Sequence, residues 1–313
     1  MRIAVTGAAG FLGSAIVRRL TQLGHNVVAI TRTGNAPEVA VEQRAVGDLL
    51  DVDPAIIVAG CDTVVNCAAR VHEVGEGTGP AAAEAHNRMN HQFAAALGAA
   101  ARTAGCHRLV QISTVAAITS RSAPGIIIDD HVPAHPQSHY GKAKLAADEA
   151  LASLANADFA VVSLRPPAII GEGAAGWFNL LNRAARLGVP MPLGAFENRR
   201  SFSFVTNIAD AAATSALGGP GGTYIVTDSR PLSTAALYRR LLALHGHGDR
   251  VWNVPTALVA PLVRVVLKSR ADSLLGNAHY DGHRFAKAFS WQPPVQFDDA
   301  LAEMIARSRS DAT

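Results

Sequence analysis

A doubly wound α/β fold with a parallel sheet is the class this sequence predicts, on three observations. Short apolar runs alternate with helical patterns through the first half of the chain. The runs are continuous and rich in Val and Ile, as in strands buried on both faces of a parallel sheet. A glycine-rich turn, TGAAGFLG, joins the first run to the first helix. Strand and helix in regular alternation give a doubly wound sheet.

The elements follow in order. RIAVTG reads as a strand and FLGSAIVRRLTQLG as a helix ending at Gly24. NVVAIT is a second strand, VEQRAVGDL a third and DTVVNCAAR a fourth. A long Ala-rich helix is predicted from Ala81 to Gly105, then a fifth strand, RLVQIST. A loop rich in Pro and His leads to a helix at Tyr140, and FAVVSLRP is a sixth strand. After Pro166 the pattern changes to a Gly-rich loop, a helix and a Pro-bounded strand. FSFVTNIADAAATSAL and GGTYIVTD resume the α/β style, and from Pro231 the chain is mostly helical.

Of 313 residues, 49% are hydrophobic and 17% charged, which supports a sizeable core and excludes a disordered chain. The net charge of +3 is too thinly spread for a nucleic-acid footprint. Local basicity at Arg183, Arg186, Arg199 and Arg200 suits one small polyanion. Cys61, Cys67 and Cys106 form no CxxC pair and read as buried thiols of a reducing compartment. With a strand at the N-terminus in place of a signal peptide, the expected location is cytoplasmic. The most apolar run, Val254 to Leu267, is too short to span a bilayer and contains Pro255, Pro261 and Arg264, so no membrane partner is expected.

TGAAGFLG places Gly7, Gly10 and Gly13 at a strand-to-helix turn. Residues without Cβ let backbone amides approach a pyrophosphate at a helix N-terminus, the Rossmann-type arrangement. Gly7, Ala9, Gly10, Phe11, Leu12 and Gly13 are therefore candidate cofactor contacts. Asp48, followed by Leu49, could accept from an adenine amino group or simply cap a turn. At the end of the second strand an NAD-selective pocket normally carries an acid that accepts from the ribose 2′-hydroxyl. Here Thr31 holds that position and Arg32 follows, which favours NADP over NAD.

GxxGxxG at the N-terminus, NCAAR after the fourth strand, IST ending the fifth and YGKAK on the next helix resemble the extended short-chain dehydrogenase/reductases. More narrowly the chain is similar to the NAD-dependent epimerase/dehydratase family acting on nucleotide sugars. The resemblance runs through RRSFSFVTNIADA to YDGHRFAKAFSWQPP, whose middle is degenerate. It implies a Rossmann-type dinucleotide-binding part over residues 1–170 with a returning segment 200–228. It also implies a smaller, mainly helical substrate-binding lobe over 171–199 and 229–313.

Tyr140 and Lys144 are one helical turn apart and share a face. A free tyrosine, with a pKa of about 10, is a poor base near neutrality. An adjacent ammonium should lower it, so that Tyr140 exchanges a proton with a carbinol or carbonyl. The family pattern adds a Lys144 contact to the cofactor ribose and a hydroxyl at the end of the fifth strand, Thr114 or Ser113, with the alignment favouring Thr114. It also implies Ala68, Ala69, Asn90, Ser113 and Pro167 as cofactor neighbours, and Asn179 and Arg200 as contacts to the substrate diphosphate, with Thr114 at the sugar. Arg199 and Arg270 are weaker candidates.

His131, His135 and His139 do not make a metal site, because Pro133 and Pro136 break any helix and no carboxylate set completes it. Asp129 and Asp130 read as a turn.

Family dehydratases carry Asp-Glu after the active-site Thr; here Val115 and Ala116 follow Thr114, against dehydration. The resemblance therefore implies a 4-ketoreductase or a 4-epimerase with retained NAD, of the kind found in bacterial surface-polysaccharide synthesis. A hydroxysteroid or small carbonyl dehydrogenase and a non-enzymatic dinucleotide sensor are the alternatives; sensors usually lack the Tyr-Lys pair kept here. The resemblance also implies a homodimer through the Ala81–Gly105 and Tyr140–Ala155 helices, and their Ala-rich faces (AAALGAAA, KLAADEALASLA) permit close approach.

Overall fold

The computed structural model describes residues 1–36, 41–71, 79–174, 176–228, 230–267 and 274–310. Its central sheet contains β1 (Arg2–Thr6), β2 (Asn26–Thr31), β3 (Glu42–Ala45), β4 (Thr63–Asn66), β5 (Arg108–Ile112), β6 (Ala160–Arg165) and β9 (Gly222–Ile225). The order is β3-β2-β1-β4-β5-β6-β9 and every pairing is parallel. The winding reverses between β1 and β4, and ligands of such sheets bind in the crevice at the strands' C-terminal ends.

The sheet divides two cores. Ile3 and Val5 of β1 point to one side, Ala4 to the other, as the period of two requires. On the first side α1 (Phe11–Gln22) buries Ile16, Val17 and Leu20 against α7 (Val205–Leu217). On the second, α2 (Pro54–Val58), α4 (Phe93–Thr103) and α5 (His139–Ala152) contribute Ile57, Leu97 and Leu151. Each such fully buried aliphatic side chain contributes about 2 kcal/mol by area burial.

The Ala-rich helix differs from its expectation. It is divided into α3 (Pro80–His86), a wider π turn (Asn87–Gln92) and α4. The extra residue in the turn lets Asn90 face the sheet, where its Oδ1 accepts from Arg70 N at 2.9 Å and its Nδ2 donates to Arg70 O at 2.8 Å. A buried amide thus finds backbone partners outside its own helix. The α5 helix ends at Ala152, shorter than predicted. It packs on α4 at Gly98, where a Cβ would lie 2.3 Å from Leu151, so this glycine serves close packing within the chain.

A short parallel ladder of β7 (Ala168–Ile170) and β8 (Phe202–Phe204) stands apart from the main sheet. Beyond it lie α6 (Trp177–Arg186), α8 (Thr234–Leu244), α9 (Thr256–Leu267), α10 (His283–Phe289) and α11 (Phe297–Ser310). The SWQPP segment is tied back to α7 and, through it, to α1: Trp291 Nε1 donates to Asp210 Oδ2 at 2.8 Å, and Arg19 Nε donates to Asp210 Oδ1 at 2.7 Å. Among the described residues, no helix is long and apolar enough to cross a membrane.

Candidate active site

Because the sheet is parallel, the predicted residues emerge along one edge. The glycine turn and Ala9, Phe11 and Leu12 follow β1, and Arg32 follows β2. Asp48 and Leu49 come after β3, Ala68 and Ala69 after β4, Ser113 and Thr114 after β5, and Pro167 after β6.

The turn after β1 is built for backbone approach. Gly7 has φ +64°, and a Cβ there would sit 2.9 Å from Ala68 N. A Cβ on Gly13 would lie 2.0 Å from the Gly7 carbonyl oxygen. Gly10 precedes the first residue of α1 and supplies no side-chain cap, so the helix N-terminus presents amides and positive dipole. This side-chain-free cradle fits the pyrophosphate of a dinucleotide.

Beneath it runs a buried polar ladder that sequence reasoning missed. Thr6 Oγ1 donates to Asn66 Oδ1 at 2.6 Å and accepts from Ala68 N at 3.2 Å; Asn66 Nδ2 donates to Gln111 Oε1 at 2.8 Å. The ladder joins the ends of β1, β4 and β5, the three strands that carry the site.

Thr114 and Tyr140 come together through close backbone packing. Thr114, two residues beyond β5, is in extended conformation and its Oγ1 accepts from Ala116 N at 3.2 Å, starting the 3₁₀ turn Val115–Ala117. Ser138 caps α5, its Oγ accepting from Gly141 N at 3.0 Å. A Cβ on Gly141 would lie 2.3 Å from Ala116 O, so the glycine lets the start of α5 rest on that turn. Tyr140 is thereby brought beside Thr114, whose hydroxyl acts on the phenol. Ser113 faces elsewhere: its Oγ donates to Asp148 Oδ2 at 2.8 Å. Its hydroxyl is turned away from Tyr140, and Thr114 is left as the hydroxyl beside the phenol.

The electrostatics differ from the expectation. Burial pushes the Tyr140 phenol above its usual range, the Cys67 thiol and the Asp148 carboxylate push the same way, and the Thr114 hydrogen bond opposes them. Lys144 is 1% exposed and donates its Nζ to Ile112 O at 2.8 Å. Burial brings it down to about 8, against the pull of Asp148 and Cys67. The ammonium is itself desolvated and bonded to a carbonyl. A tyrosine held protonated is a proton donor.

His86, also missed from sequence, touches Tyr140 edge-on with ring centroids 6.0 Å apart. Its Nδ1 lies 3.2 Å from Asn90 Nδ2; an amide nitrogen can only donate, so Nδ1 accepts and the ring proton sits on Nε2. The signal in the sequence was the four-residue spacing of His86 and Asn90. Cys67 is partly buried beside the pair, its thiol pushed up to about 12 by burial; Cys61 and Cys106 are buried. All three are free thiols.

Other candidates lie as follows. Arg32 is exposed immediately after β2, and Thr31 Oγ1 accepts from Gly34 N at 2.9 Å. Asp48 is exposed and its Oδ1 accepts from Leu50 N at 3.0 Å, closing a turn. Arg200 is 7% exposed and donates Nη1 to Gly276 O at 2.8 Å. Its backbone bridges Leu232 and Ala278, and Tyr280, two residues on from Ala278, donates its hydroxyl to Thr119 O at 2.8 Å. Arg200 is thus tied to the loop that follows Thr114. Asn179 is exposed in the first turn of α6. Arg199 is exposed, and Arg270 lies outside the described residues.

Asp130 is more than a turn: its side chain is buried, accepts from Ile225 N at 2.7 Å and anchors β9. Among the described residues no group of His, Cys, Asp and Glu could hold a metal ion. One cleft, of about 630 Å³, opens beside Arg199, Arg230 and Arg239.

A dinucleotide cradle at the sheet's switch point, with a phenol, a hydroxyl and a buried lysine at the neighbouring strand ends, defines an enzyme of the short-chain dehydrogenase/reductase type. The model of the NAD dependent epimerase/dehydratase family matches residues 3–226, and the chain belongs to that family. Its relatives include a UDP-glucose 4-epimerase of Vibrio cholerae, 26% identical over 316 residues, covering 96% of this chain and 93% of the relative. A 2-alkyl-3-oxoalkanoate reductase of Stenotrophomonas maltophilia is 28% identical over 336 residues, covering 98% and 99%. Among solved structures, a UDP-glucose 4-epimerase of Thermotoga maritima with UDP-glucose has a TM-score of 0.80 at 19% identity, covering 100% of each chain.

Proposed function

We propose that this enzyme acts at C4 of a nucleotide-activated sugar, as an NADP(H)-using 4-ketoreductase ahead of a 4-epimerase that retains NAD. The observation that carries the reading is the Thr114–Tyr140 contact one turn from buried Lys144. Thr114 Oγ1 and Tyr140 Oη would hold the substrate oxygen. Reduction of a keto group needs a proton on the oxygen that becomes an alkoxide, and a phenol held protonated by burial can give it. The nicotinamide, when bound, supplies or takes the hydride. Lys144 would orient the cofactor ribose. The residues after Thr114, Val115 and Ala116, offer no acid or base for removing water, which argues against dehydration.

Arg32 supports the cofactor preference, since an exposed guanidinium after β2 can pair with a 2′-phosphate where an acid would repel it. The direct test is a screen of UDP- and dTDP-sugars and their 4-keto derivatives, following cofactor absorbance. Turnover of a 4-keto sugar with NADPH supports the reading. Tightly bound NAD co-purifying with an active 4-epimerase would replace it.

A second reading, reduction of a non-sugar ketone, is favoured by the similarity to the 2-alkyl-3-oxoalkanoate reductase. Arg200 discriminates. For a nucleotide sugar, Arg200→Ala should raise apparent KM far above wild type, since loss of a charged donor to a diphosphate costs about 2 kcal/mol. An unchanged KM favours the ketone. Homodimerisation through the helical segments 81–105 and 140–155 is part of the proposal, and a monomeric mass by light scattering at micromolar concentration would remove it.

A further inference from the structure

On α5, Tyr140, Lys144 and Asp148 follow one another at intervals of four and share one face. The first two belong to the proton machinery; the third is as deeply buried as Lys144, at 2% exposure. A carboxylate in such a place needs strong partners. Asp148 Oδ2 accepts from Ser113 Oγ and from Arg165 Nε, both at 2.8 Å. Buried Ser163 stands close to the same carboxylate.

Burial pushes the Asp148 carboxyl up while Arg165, Ser113 and Ser163 pull it back. An oxygen that accepts from a guanidinium and a hydroxyl together is best served by the ionised form. Lys144 has the complementary difficulty. Its hydrogen-bonded neighbour, Ile112 O, is uncharged, and burial disfavours the ammonium. Ile112 and Ser113 are consecutive, so one strand end presents a carbonyl to the lysine and a hydroxyl to the aspartate.

We propose that Asp148 is a positioning residue of the active site: clamped by Ser113 and Arg165 one turn beyond Lys144, its carboxylate keeps Lys144 an ammonium held against Ile112. This also gives Ser113 its role, that of fixing the carboxylate while Thr114 faces the phenol. The charged and titratable groups that bear on Lys144 are Cys67 from the end of β4 and Asp148 from its own helix, the latter ion-paired to Arg165 of β6. Asp148 and Cys67 favour the ammonium, and burial opposes it. Neutralising Asp148 removes the attraction and leaves burial opposed by Cys67 alone. Lys144 then loses its proton at lower pH.

The inference rests on the reading of Lys144 as part of the proton machinery, but its test does not need turnover. The chain's lysines are Lys142, Lys144, Lys268 and Lys287, few enough to follow by NMR with 13C-labelled lysine and a Lys144→Arg variant for assignment. In the wild type the Lys144 signal is expected to titrate near pH 8. In Asp148→Asn, which keeps shape and an acceptor oxygen, it should titrate about one pH unit lower, a tenfold loss in proton affinity. Asp148→Glu should restore most of the shift.

If an active assay exists, the alkaline limb of kcat should move by the same amount. An unmoved Lys144 titration in Asp148→Asn, with only a lower melting temperature, would show that Asp148 merely ties α5 to β6 and overturn the proposal. Should that variant fail to fold, Asp148→Ser, which also removes the charge, decides: a Lys144 titration about one pH unit below wild type in the folded Ser variant supports the proposal, and an unmoved one overturns it.

Discussion

At the end of β1 the chain offers backbone, and at the ends of β4 and β5 it offers side chains. The glycine turn works because nothing projects from it: Gly7 and Gly13 lie where a Cβ would meet backbone atoms at 2.9 and 2.0 Å. The Thr114–Tyr140–Lys144 region works because particular groups project and are desolvated, with burial acting on both the phenol and the ammonium. The first region is damaged by adding an atom, and its failure is a failure of local folding. The second is damaged by removing an atom, and its failure leaves the fold intact. Both share an edge because every strand of the sheet runs the same way.

The largest effect is expected from Gly13→Ala. The new Cβ would meet the Gly7 carbonyl, a backbone atom that can yield only if the turn unwinds. A loss on the order of 4 kcal/mol is expected, with loss of dinucleotide binding. Thermal denaturation and a cofactor titration measure the two effects, and near-normal cofactor affinity would break the contrast between the regions.

Tyr140→Phe comes next: turnover should fall about 1,000-fold, within the range of a lost general acid, while melting temperature and cofactor affinity stay close to wild type. A fall in cofactor affinity equal to the fall in turnover would show that the phenol helps build the cradle.

Gly141→Ala sharpens the comparison because it adds an atom in the side-chain region. A Cβ at that position meets Ala116 O at 2.3 Å, so α5 must lift from the 3₁₀ turn and carry Tyr140 away from Thr114. A misplacement of this kind should cost about 100-fold in kcat with the phosphate loop unaffected. Unchanged kcat would mean that the helix start can shift without moving the phenol.

The smallest effect is expected at Arg32, at the rim of the cradle. Arg32→Asp should shift the ratio of kcat/KM for NADPH over NADH towards NADH by about tenfold, by exchanging an attractive charge for a repulsive one. A ratio that does not move would place the 2′-position out of reach of this side chain.

How much of this was legible in the sequence depends on how local the cause is. The glycine turn could be read because steric demand follows from three residues within seven positions, and the Tyr140–Lys144 pair because a helix fixes the geometry of i and i+4. The Thr114–Tyr140 contact could be anticipated only by resemblance, since 25 residues of loop separate its members. The π turn was invisible, because an Ala-rich pattern does not reveal that Asn90 must reach Arg70. His86, Asn66 and Gln111 look like ordinary polar residues until the sheet order makes them neighbours.

By itself the sequence determined the alternation of elements, the cradle after β1 and the spacing of the proton donor and the lysine. These depend on backbone sterics and helical period, which act over a few residues. The tertiary structure decided which hydroxyl faces the phenol and which is turned to Asp148, and that Lys144 is held by Ile112 and brought down to about 8. It also decided that the phenol is held protonated. Those outcomes depend on desolvation and on charges from β4, β5 and β6, and burial is a property of the assembled sheet rather than of any segment of the chain.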